Sequence, residues 1–361
     1  MKKSITFLSI ICLLAFSLSI SAQTVRRCNN NPGIAGVNVY TTIQAAHDAA
    51  VAGDIVYVEP STTNYGTLDC RKRLTIIGNG YFNSKNINNS FETRNSQIST
   101  LTFNNGSANS ILTGIDQVGS VSINDINITI TRCKLGSTFF GVSTNLVGGV
   151  NSRGNNGTIT KCYMSGGVSG NNSTVINSQY GYNCLVSNCI IFSGSIINLT
   201  NSVISNNIYY RGGGSAFSSL FGCGVTNNIL DARGSATVQE FVVGVINGSS
   251  VGNTISNNIC LGQAATPSGN GNVNFGDETV TFLTSNPWTT WSTEDANFQL
   301  GVGSSAIGIG TGGTNAGAFG GSNPYILSGM PAYPIITSYL PSGVGNSTTP
   351  INVNVSVRGN N

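Results

Sequence analysis

The chain has 361 residues, of which only 8% are charged, and its formal net charge at neutral pH is +3. This near neutrality excludes a general electrostatic attraction to nucleic acid or to an acidic membrane surface. A hydrophobic fraction of 39% excludes a disordered chain. Because polarity comes from 46 glycines and about as many asparagines rather than from Lys and Glu, the composition predicts an all-β fold without long helices.

The first 22 residues have the pattern of a signal peptide. Lys2 and Lys3 precede a largely apolar run from Ile5 to Ile20, and Ser21-Ala22 is a small-residue cleavage site. The apolar run is short and no stop-transfer pattern follows it, so we expect no membrane span after its removal. The sequence therefore predicts a secreted or surface-exposed protein.

Residues 39–82 are expected to cap the fold. Ile43 to Ala50 is rich in helix formers, with Thr42 as N-cap and Gly53 as the stop. Asp54 to Pro60 alternates as a strand, and Leu74 to Gly78 gives a second strand. A short amphipathic helix at this place would cover an apolar end that otherwise faces water.

A six-residue phrase then recurs six times, as apolar–(Ser/Thr)–(Asn/Lys/Arg)–(Asn/Cys)–x–apolar. Its copies start at residues 130, 159, 186, 204, 225 and 255, which is the period of a solenoid whose single rung cannot bury its own apolar face. The fourth position is expected to form a ladder inside a corner of the coil, where Asn can both donate and accept and tolerates a left-handed backbone. The ladder residues are Cys133, Cys162, Cys189, Asn207, Asn228 and Asn258.

Eight cysteines remain after residue 22, and disulfides are the default expectation in a secreted protein. Cys184 and Cys223 share a second column, but an intervening rung would place them about 10 Å apart, too far for a bridge. We therefore expect these two and the three ladder cysteines to be buried thiols. Cys28 and Cys70 are the best candidates for one disulfide.

The cap and the repeats together resemble the right-handed parallel β-helix proteins of the pectin-lyase-like superfamily. The matching segments are Tyr40 to Ala46, Ala52 to Val58, Leu74 to Gly80, Asp295 to Leu300, Ser304 to Gly310 and Gly317 to Gly320. The resemblance covers residues 39–320 and implies a coil of about nine to eleven rungs over residues 23–321. It does not imply one activity, since this superfamily contains lyases, hydrolases, adhesins and phage spikes.

Residues 322–361 are expected to form a C-terminal extension. Four prolines punctuate an aromatic stretch that should be extended and packed along the coil. Ile351 to Val357 then alternates strictly, with four apolar residues on one face. This strand should pair either with the solenoid or with a protein partner.

Catalytic groups are scarce in the sequence. The resemblance implies clustered acids in an enzyme of this superfamily, but no Asp or Glu occurs between Asp125 and Asp231, and the Asn-Thr-Asp, Asp-Asp and Gly-His-Gly motifs of its hydrolases are missing. The only histidine, His47, is expected to be a partly solvated cap residue. We expect no catalytic residue, metal site or cofactor.

Two cationic residues keep an enzymatic function as an alternative hypothesis. Arg132 and Lys161 share the column before the ladder and are expected to stack about 5 Å apart on the outer face. They could hold a uronate or a sulfate, and a Lys beside an Arg can have a lowered pKa suited to proton abstraction. A polysaccharide lyase with Asp125 as the nearest acid is therefore the second hypothesis, and two solvated turn residues are the plainer interpretation.

Aromatic residues indicate a binding surface, since flat side chains stack on sugar rings. The candidates are Tyr180, Tyr182, Tyr209, Tyr210 with Arg211, Trp288 and Trp291. Tyr209 is expected to face the core, Tyr210 to face out, and the Trp pair to cover an open end. The leading hypothesis is a non-catalytic, adhesin-like or glycan-binding β-helix; the third is a subunit of a cell-surface assembly engaged through its C-terminal strand.

Overall fold

The computed structural model describes residues 23–86, 90–117, 119–140, 154–170, 181–210, 217–231, 252–261, 269–276, 281–284, 287–290, 294–343, 345, 348 and 350–359. The signal-peptide prediction, Tyr180, Arg211 and Trp291 lie outside these residues. Among the described residues, no helix has the length and apolarity needed to cross a membrane.

Three parallel sheets form the body, and the chain visits them in the repeating order A, C, B. Sheet A contains Val25–Cys28, Val39–Tyr40, Ile55–Val58, Thr75–Ile77, Ile111–Thr113, Thr129–Thr131, Thr158–Thr160, Leu185–Ser187, Val203–Ser205, Gly224–Thr226 and Thr254–Ser256. Sheet B contains Leu68–Cys70, Leu101–Phe103, Val121–Ile123, Thr138–Phe140, Val168–Gly170, Ile196–Ile197 and Phe217–Ser218. Sheet C contains Gln97–Ile98, Asp116–Gln117, Lys134–Leu135, Tyr163–Met164, Ile190–Phe192, Ile208–Tyr210, Ile229–Asp231, Ile259–Leu261 and Val273–Gly276.

The apolar residues of the repeat line the inside of the coil. The first position of the phrase gives an inward column on sheet A, in which Ile130, Ile159 and Val186 are fully buried and lie in register on successive strands. In such a column each side chain is buried mainly by the equivalent side chains of the two neighbouring rungs, and not in one central core. The expected all-β parallel β-helix is confirmed.

The N-terminal cap has the expected helix at Ile43–Ala49, and the Thr42 hydroxyl accepts from the Ala45 backbone N–H. At its other end the Lys72 ammonium donates to the carbonyls of His47, Asp48 and Ala50. His47 is not partly solvated as expected, because only 4% of it is exposed. Its Nε2 accepts from the Arg71 backbone N–H at 3.1 Å, so it is a hydrogen-bonded part of the cap.

All eight cysteines of the described chain are buried free thiols. The bridge expected between Cys28 and Cys70 is not formed, because each thiol instead donates to a carbonyl of its own corner, Thr42 O at 3.5 Å and Lys72 O at 3.3 Å. Burial raises the pKa of Cys28 to about 12 and that of Cys70 to about 11, which keeps both thiols protonated and poorly reactive.

The C-terminal part contains four short 3-10 turns, at Pro287–Thr290, Ala296–Phe298, Thr311–Gly313 and Leu327–Gly329. It ends in an antiparallel hairpin of Ile335–Pro341 and Val353–Arg358. The alternating strand predicted at Ile351 to Val357 therefore pairs with the extension itself and not with the solenoid.

Candidate functional site

The corner between sheets A and C is a two-residue turn in each rung. The third residue of the repeated phrase adopts a left-handed backbone, with φ from 53° to 59°, in Arg132, Lys161, Asn188, Asn206, Asn227 and Asn257. We expected the ladder residue one position later to need this conformation. The third residue, in the left-handed conformation, turns the chain, and the side chain of the fourth residue then points inward.

The inward residues form the ladder. Asn228 Nδ2 donates to Ile204 O and to Asn258 Oδ1, each at 3.0 Å, while its Oδ1 accepts from the backbone and side-chain N–H groups of Asn207. In the earlier rungs a thiol occupies the place of the amide, as where Cys189 Sγ approaches Ile159 O at 3.7 Å. Asn272 was not among the predicted ladder residues, but it continues the ladder, since its Oδ1 accepts from the Asn258 backbone N–H at 3.0 Å.

The outer face of sheet C is covered by the described residues of 281–331, which we call the cover. Tyr163, Ile190, Ile208, Ile229 and Ile259 point outward from this sheet and are nonetheless fully buried. They form a second apolar cluster with cover residues that include Phe282, Trp288, Phe298, Ala306, Ala316, Ala318 and Tyr325. The Ile229 Cδ1 lies only 2.5 Å from where a Cβ on Gly317 would be, so a glycine is needed there.

The cover is hydrogen-bonded to the corner column along its length. Asn257 Nδ2 donates to Ile309 O at 2.9 Å, and Asn227 Oδ1 accepts from the Thr311 backbone N–H at 3.0 Å. Further along, side-chain N–H groups donate to cover carbonyls, in the pairs Asn206–Asn315, Asn188–Ala318, Asn188–Gly320 and Arg132–Met330. The cover therefore runs from the last rungs back toward the first.

This cover changes the environment of the two candidate cations. Arg132 and Lys161 were expected on an accessible outer face, but they are only 7% and 8% exposed. Burial lowers the pKa of both groups, and for Lys161 the charge of Arg132 adds to that effect. They do occupy consecutive rungs, because Arg132 N donates to Thr160 O at 3.0 Å. A polymeric substrate cannot lie across this pair while the cover is in place.

Asp125, the nearest acid in the lyase hypothesis, does not lie at the corner that holds Arg132 and Lys161. Asp125 lies between sheets B and A, where its carboxylate accepts from the backbone N–H groups of Gly106, Ala108 and Ile126 at 2.9 Å each. The sequence contains an Arg-x-Lys tripeptide at Arg132-Cys133-Lys134. Its Lys134 forms an ion pair with Asp116 at 3.3 Å, and Cys133 points into the core.

The aromatic candidates form a stacked group on sheet C. Tyr209 is fully buried inside the coil as expected, and Tyr210 points to the other face. The Tyr210 ring stacks on Phe192 and on Trp288, with centroids 5.3 and 4.6 Å away, and these two rings also contact each other at 5.8 Å. Trp288 Nε1 donates to the buried Asp231 at 2.6 Å, so Trp288 packs on the side of the coil rather than over an open end. Tyr210 therefore does not present a free ring to a sugar.

Asp295, a fully buried acid of the cover itself, connects the cover to an early part of the chain. Its carboxylate accepts from Tyr325 Oη at 2.9 Å, from the Ser328 backbone N–H at 2.7 Å and from Asn86 Nδ2 at 2.8 Å. Tyr81 and Tyr325 hydroxyls are 2.5 Å apart. Burial outweighs these hydrogen bonds and raises the Asp295 pKa. This polar group ties the cover to the N-terminal half of the coil.

A raised pKa makes this anchor pH-dependent. The folded state holds the Asp295 proton more tightly than the unfolded chain, so the stability it contributes is full below the unfolded value near 3.8 and is lost as pH rises through the raised value. We expect the unfolding free energy of the wild type to fall, relative to that of Asp295→Asn, as pH rises above about 4. Urea unfolding between pH 4 and 8 measures this difference, with Glu294→Gln as control, and parallel curves for wild type and Asp295→Asn would contradict it.

The C-terminal hairpin offers a different kind of site. Cross-strand pairs Ile336–Val357, Tyr339–Val355 and Pro341–Val353 place six apolar side chains on one face. Their exposed fractions are 46% for Ile336, 43% for Tyr339, 39% for Val353, 49% for Val355 and 58% for Val357. The body touches one end, where Phe91 N donates to Ile336 O at 2.8 Å and the Phe91 ring contacts Tyr339.

No group of three or more His, Cys, Asp or Glu side chains within the described ranges is arranged to hold a metal ion.

One sequence signal for the cover was available. The variable fifth position of the phrase is Tyr163, Ile190, Ile208, Ile229 and Ile259 in the last five copies. An outward position that is repeatedly apolar indicates a covered face.

No protein-family model matches this sequence, and no curated protein is similar enough to be counted as a relative. The fold and the contacts define the class of the protein as a parallel β-helix with a covered third sheet and an exposed apolar hairpin.

Proposed function

We propose that this protein is a non-catalytic β-helix subunit of an assembly outside the cell, and that copies associate through the apolar face of the C-terminal hairpin. The observation that carries the proposal is the exposure of Ile336, Tyr339, Val353, Val355 and Val357 on one face. Contiguous apolar patches on soluble proteins are commonly interaction sites. The signal-like residues 1–22 and the likeness of the cap and ladder to pectin-lyase-like proteins support export and a place in that superfamily.

A protein surface fits this face better than a lipid surface does. Arg358 is the only charged residue from 332 to 361, so the hairpin has little attraction for anionic headgroups. Two such hairpins packed face to face would bring together neutral, identical surfaces about a two-fold axis, without like charges in contact. The face is formed by only six side chains on two strands, whereas a permanent dimer interface involves about 20–30 residues a side, so association should depend on concentration.

Glycan binding and lyase chemistry have less support in the contacts. Tyr210 is half-buried against Trp288, and Lys161 is only 8% exposed, so neither candidate offers a broad surface to a polysaccharide. The eight buried thiols are compatible with an oxidising exterior, because burial keeps them protonated and shielded.

Substituting one valine should separate the association from the fold. We expect residues 23–361 to show a sedimentation coefficient that rises between about 1 and 300 μM, and Val355→Lys to remain monomeric, because a lysine in the centre of the face would be buried without a partner. Sedimentation velocity measures both. Val302→Lys, at a valine that is 97% exposed in the cover, is the matched control and should behave as the wild type.

A wild-type chain that stays monomeric at the highest concentration would overturn the proposal. Co-sedimentation of that monomer with phosphatidylcholine vesicles would show that the hairpin binds lipid instead. Unchanged association in Val355→Lys would place the contact on another surface.

A further inference from the structure

Lys161 differs from the other left-handed corner residues in its contacts. Asn188, Asn206, Asn227, Asn257 and Arg132 each share a hydrogen bond with the cover. For Lys161 the structure shows only the backbone bond from its N–H to Ser187 O. Among the described residues, no hydrogen bond joins the Lys161 side chain to the cover, although the cover is bonded to Asn188 at Gly320 and to Arg132 at Met330 on the two neighbouring rungs.

The position is electrostatically unusual. None of the six ion pairs found in the described part of the chain includes Lys161. Lys161 is only 8% exposed as a whole residue, and its side chain has no hydrogen-bonding partner among the described residues; a charge that is partly desolvated in this way is stabilised by a partner or a counter-ion. Here the nearest rung adds a second cation, Arg132. Two adjacent cations under a cover are a favourable environment for an anion.

The backbone gives an independent indication. Lys161 and Arg132 have φ values of 54° and 55°, a conformation that later rungs assign to Asn. Asn adopts it at lower cost than a long side chain, for which about 1 kcal/mol or more is the usual penalty. The chain thus places cations where an uncharged residue fits the backbone better. Strain retained at such a position is a recognised mark of function.

We propose that Lys161 and Arg132 bind a single small oxyanion beneath the cover. The cover packs closely on the Arg132 side of the pair, where a Cβ on Gly329 would lie 2.3 Å from the Arg132 backbone O and from Tyr81 Cε1, so a polymer has no room on that side. Sulfate, phosphate or one carboxylate fits this description, and a polysaccharide chain does not. The oxyanion can come from free salt or from an acidic monosaccharide. This inference is independent of hairpin association.

Thermal unfolding of residues 23–361 tests the site directly. Sodium phosphate and sodium sulfate should each raise the Tm above its value in sodium chloride of equal ionic strength, because a ligand of the folded state stabilises it. Sulfate and phosphate also stabilise folded proteins without binding to a site. In Lys161→Asn the increment should therefore shrink to this non-specific part, and the variant should be at least as stable as the wild type in chloride. Lys85→Asn, at an exposed lysine, should keep the increment.

Calorimetric titration distinguishes the two sources. Phosphate, sulfate and galacturonate are titrated separately, and we expect at least a tenfold weaker Kd for the preferred anion in Lys161→Asn than in Lys85→Asn. Tighter binding of galacturonate than of either inorganic anion would identify an acidic sugar as the source, and the reverse order would identify a free inorganic ion. An equal Tm increment in Lys161→Asn, or none in the wild type, would overturn the proposal.

Discussion

A chain that ends at residue 280 should fail to give a soluble folded β-helix, whereas a chain that ends at Tyr333 should fold. The first truncation removes the cover and exposes the outward column Tyr163, Ile190, Ile208, Ile229 and Ile259, all fully buried in the intact protein. Burial of each such side chain is worth about 1.5–3 kcal/mol, so the loss is on the order of 10 kcal/mol. That equals the whole stability of many domains.

The second truncation is the matched control. It removes the hairpin strands, whose side chains are mostly exposed, and keeps Tyr333, which donates to Gly78 O at 2.9 Å. Soluble yield, far-ultraviolet circular dichroism and urea unfolding compare the two chains. A soluble chain ending at residue 280 with an unchanged unfolding midpoint would show that the cover is dispensable.

Replacing Asn228 by Leu should destabilise the protein by about 3–6 kcal/mol. The side chain of Asn228 takes part in hydrogen bonds to Asn207, Ile204 and Asn258, all in the interior. A leucine leaves these donors and acceptors without partners in a place that water cannot reach, and each such group costs about 1–3 kcal/mol. Urea unfolding monitored by circular dichroism measures the change.

Asn228→Cys separates lost hydrogen bonds from changed shape, because the same column holds Cys189 in an earlier rung. Its thiol can donate to Ile204 O as Cys189 does to Ile159 O, but it cannot replace the acceptor for both N–H groups of Asn207. We expect an intermediate loss of stability. Equal losses for the leucine and cysteine variants would mean that the ladder amides contribute little.

The sequence predicted the structure well where equivalent residues of successive rungs lie in the same environment. The phrase that begins at Ile130 and recurs to Ile255 predicted the inward columns, the sharp corner and the amide ladder, because stacked rungs place like residues on like residues. It assigned the left-handed conformation one position late. Asn suits both adjacent positions of the corner, and only Arg132 and Lys161, with no such preference of their own, show which of the two turns the chain.

The cover was harder to predict because each of its contacts with the coil occurs once and is not repeated from rung to rung. Asn188 bonds to carbonyls 130 and 132 residues away, and nothing in the local pattern near Ala318 and Gly320 specifies that partner. For the same reason Arg132 and Lys161 were expected in solvent and Tyr210 on a free surface. The repeated apolar fifth position indicated that a cover exists but not which segment provides it.

The hairpin and the cysteines show two further limits. Strand alternation at Val353 to Val357 was visible, but its partner strand, Ile335–Pro341, is interrupted by a bulge and bounded by prolines, which hides the period of two. Cys28 and Cys70 were paired by elimination, which ignores that a thiol can donate to a nearby carbonyl. The oxyanion-site proposal likewise depends on burial that only the folded chain displays.

The direction of the cover has a consequence for how the molecule opens. In a bare solenoid each rung is held only by its two neighbours, so the ends fray independently of the middle. Here Ile309 is bonded to the rung of Asn257, and Met330 to the rung of Arg132, so one continuous segment fastens early and late rungs together. Amide protons in the rungs of Arg132 and Asn257 should therefore exchange with solvent at rates close to those of the rungs between them.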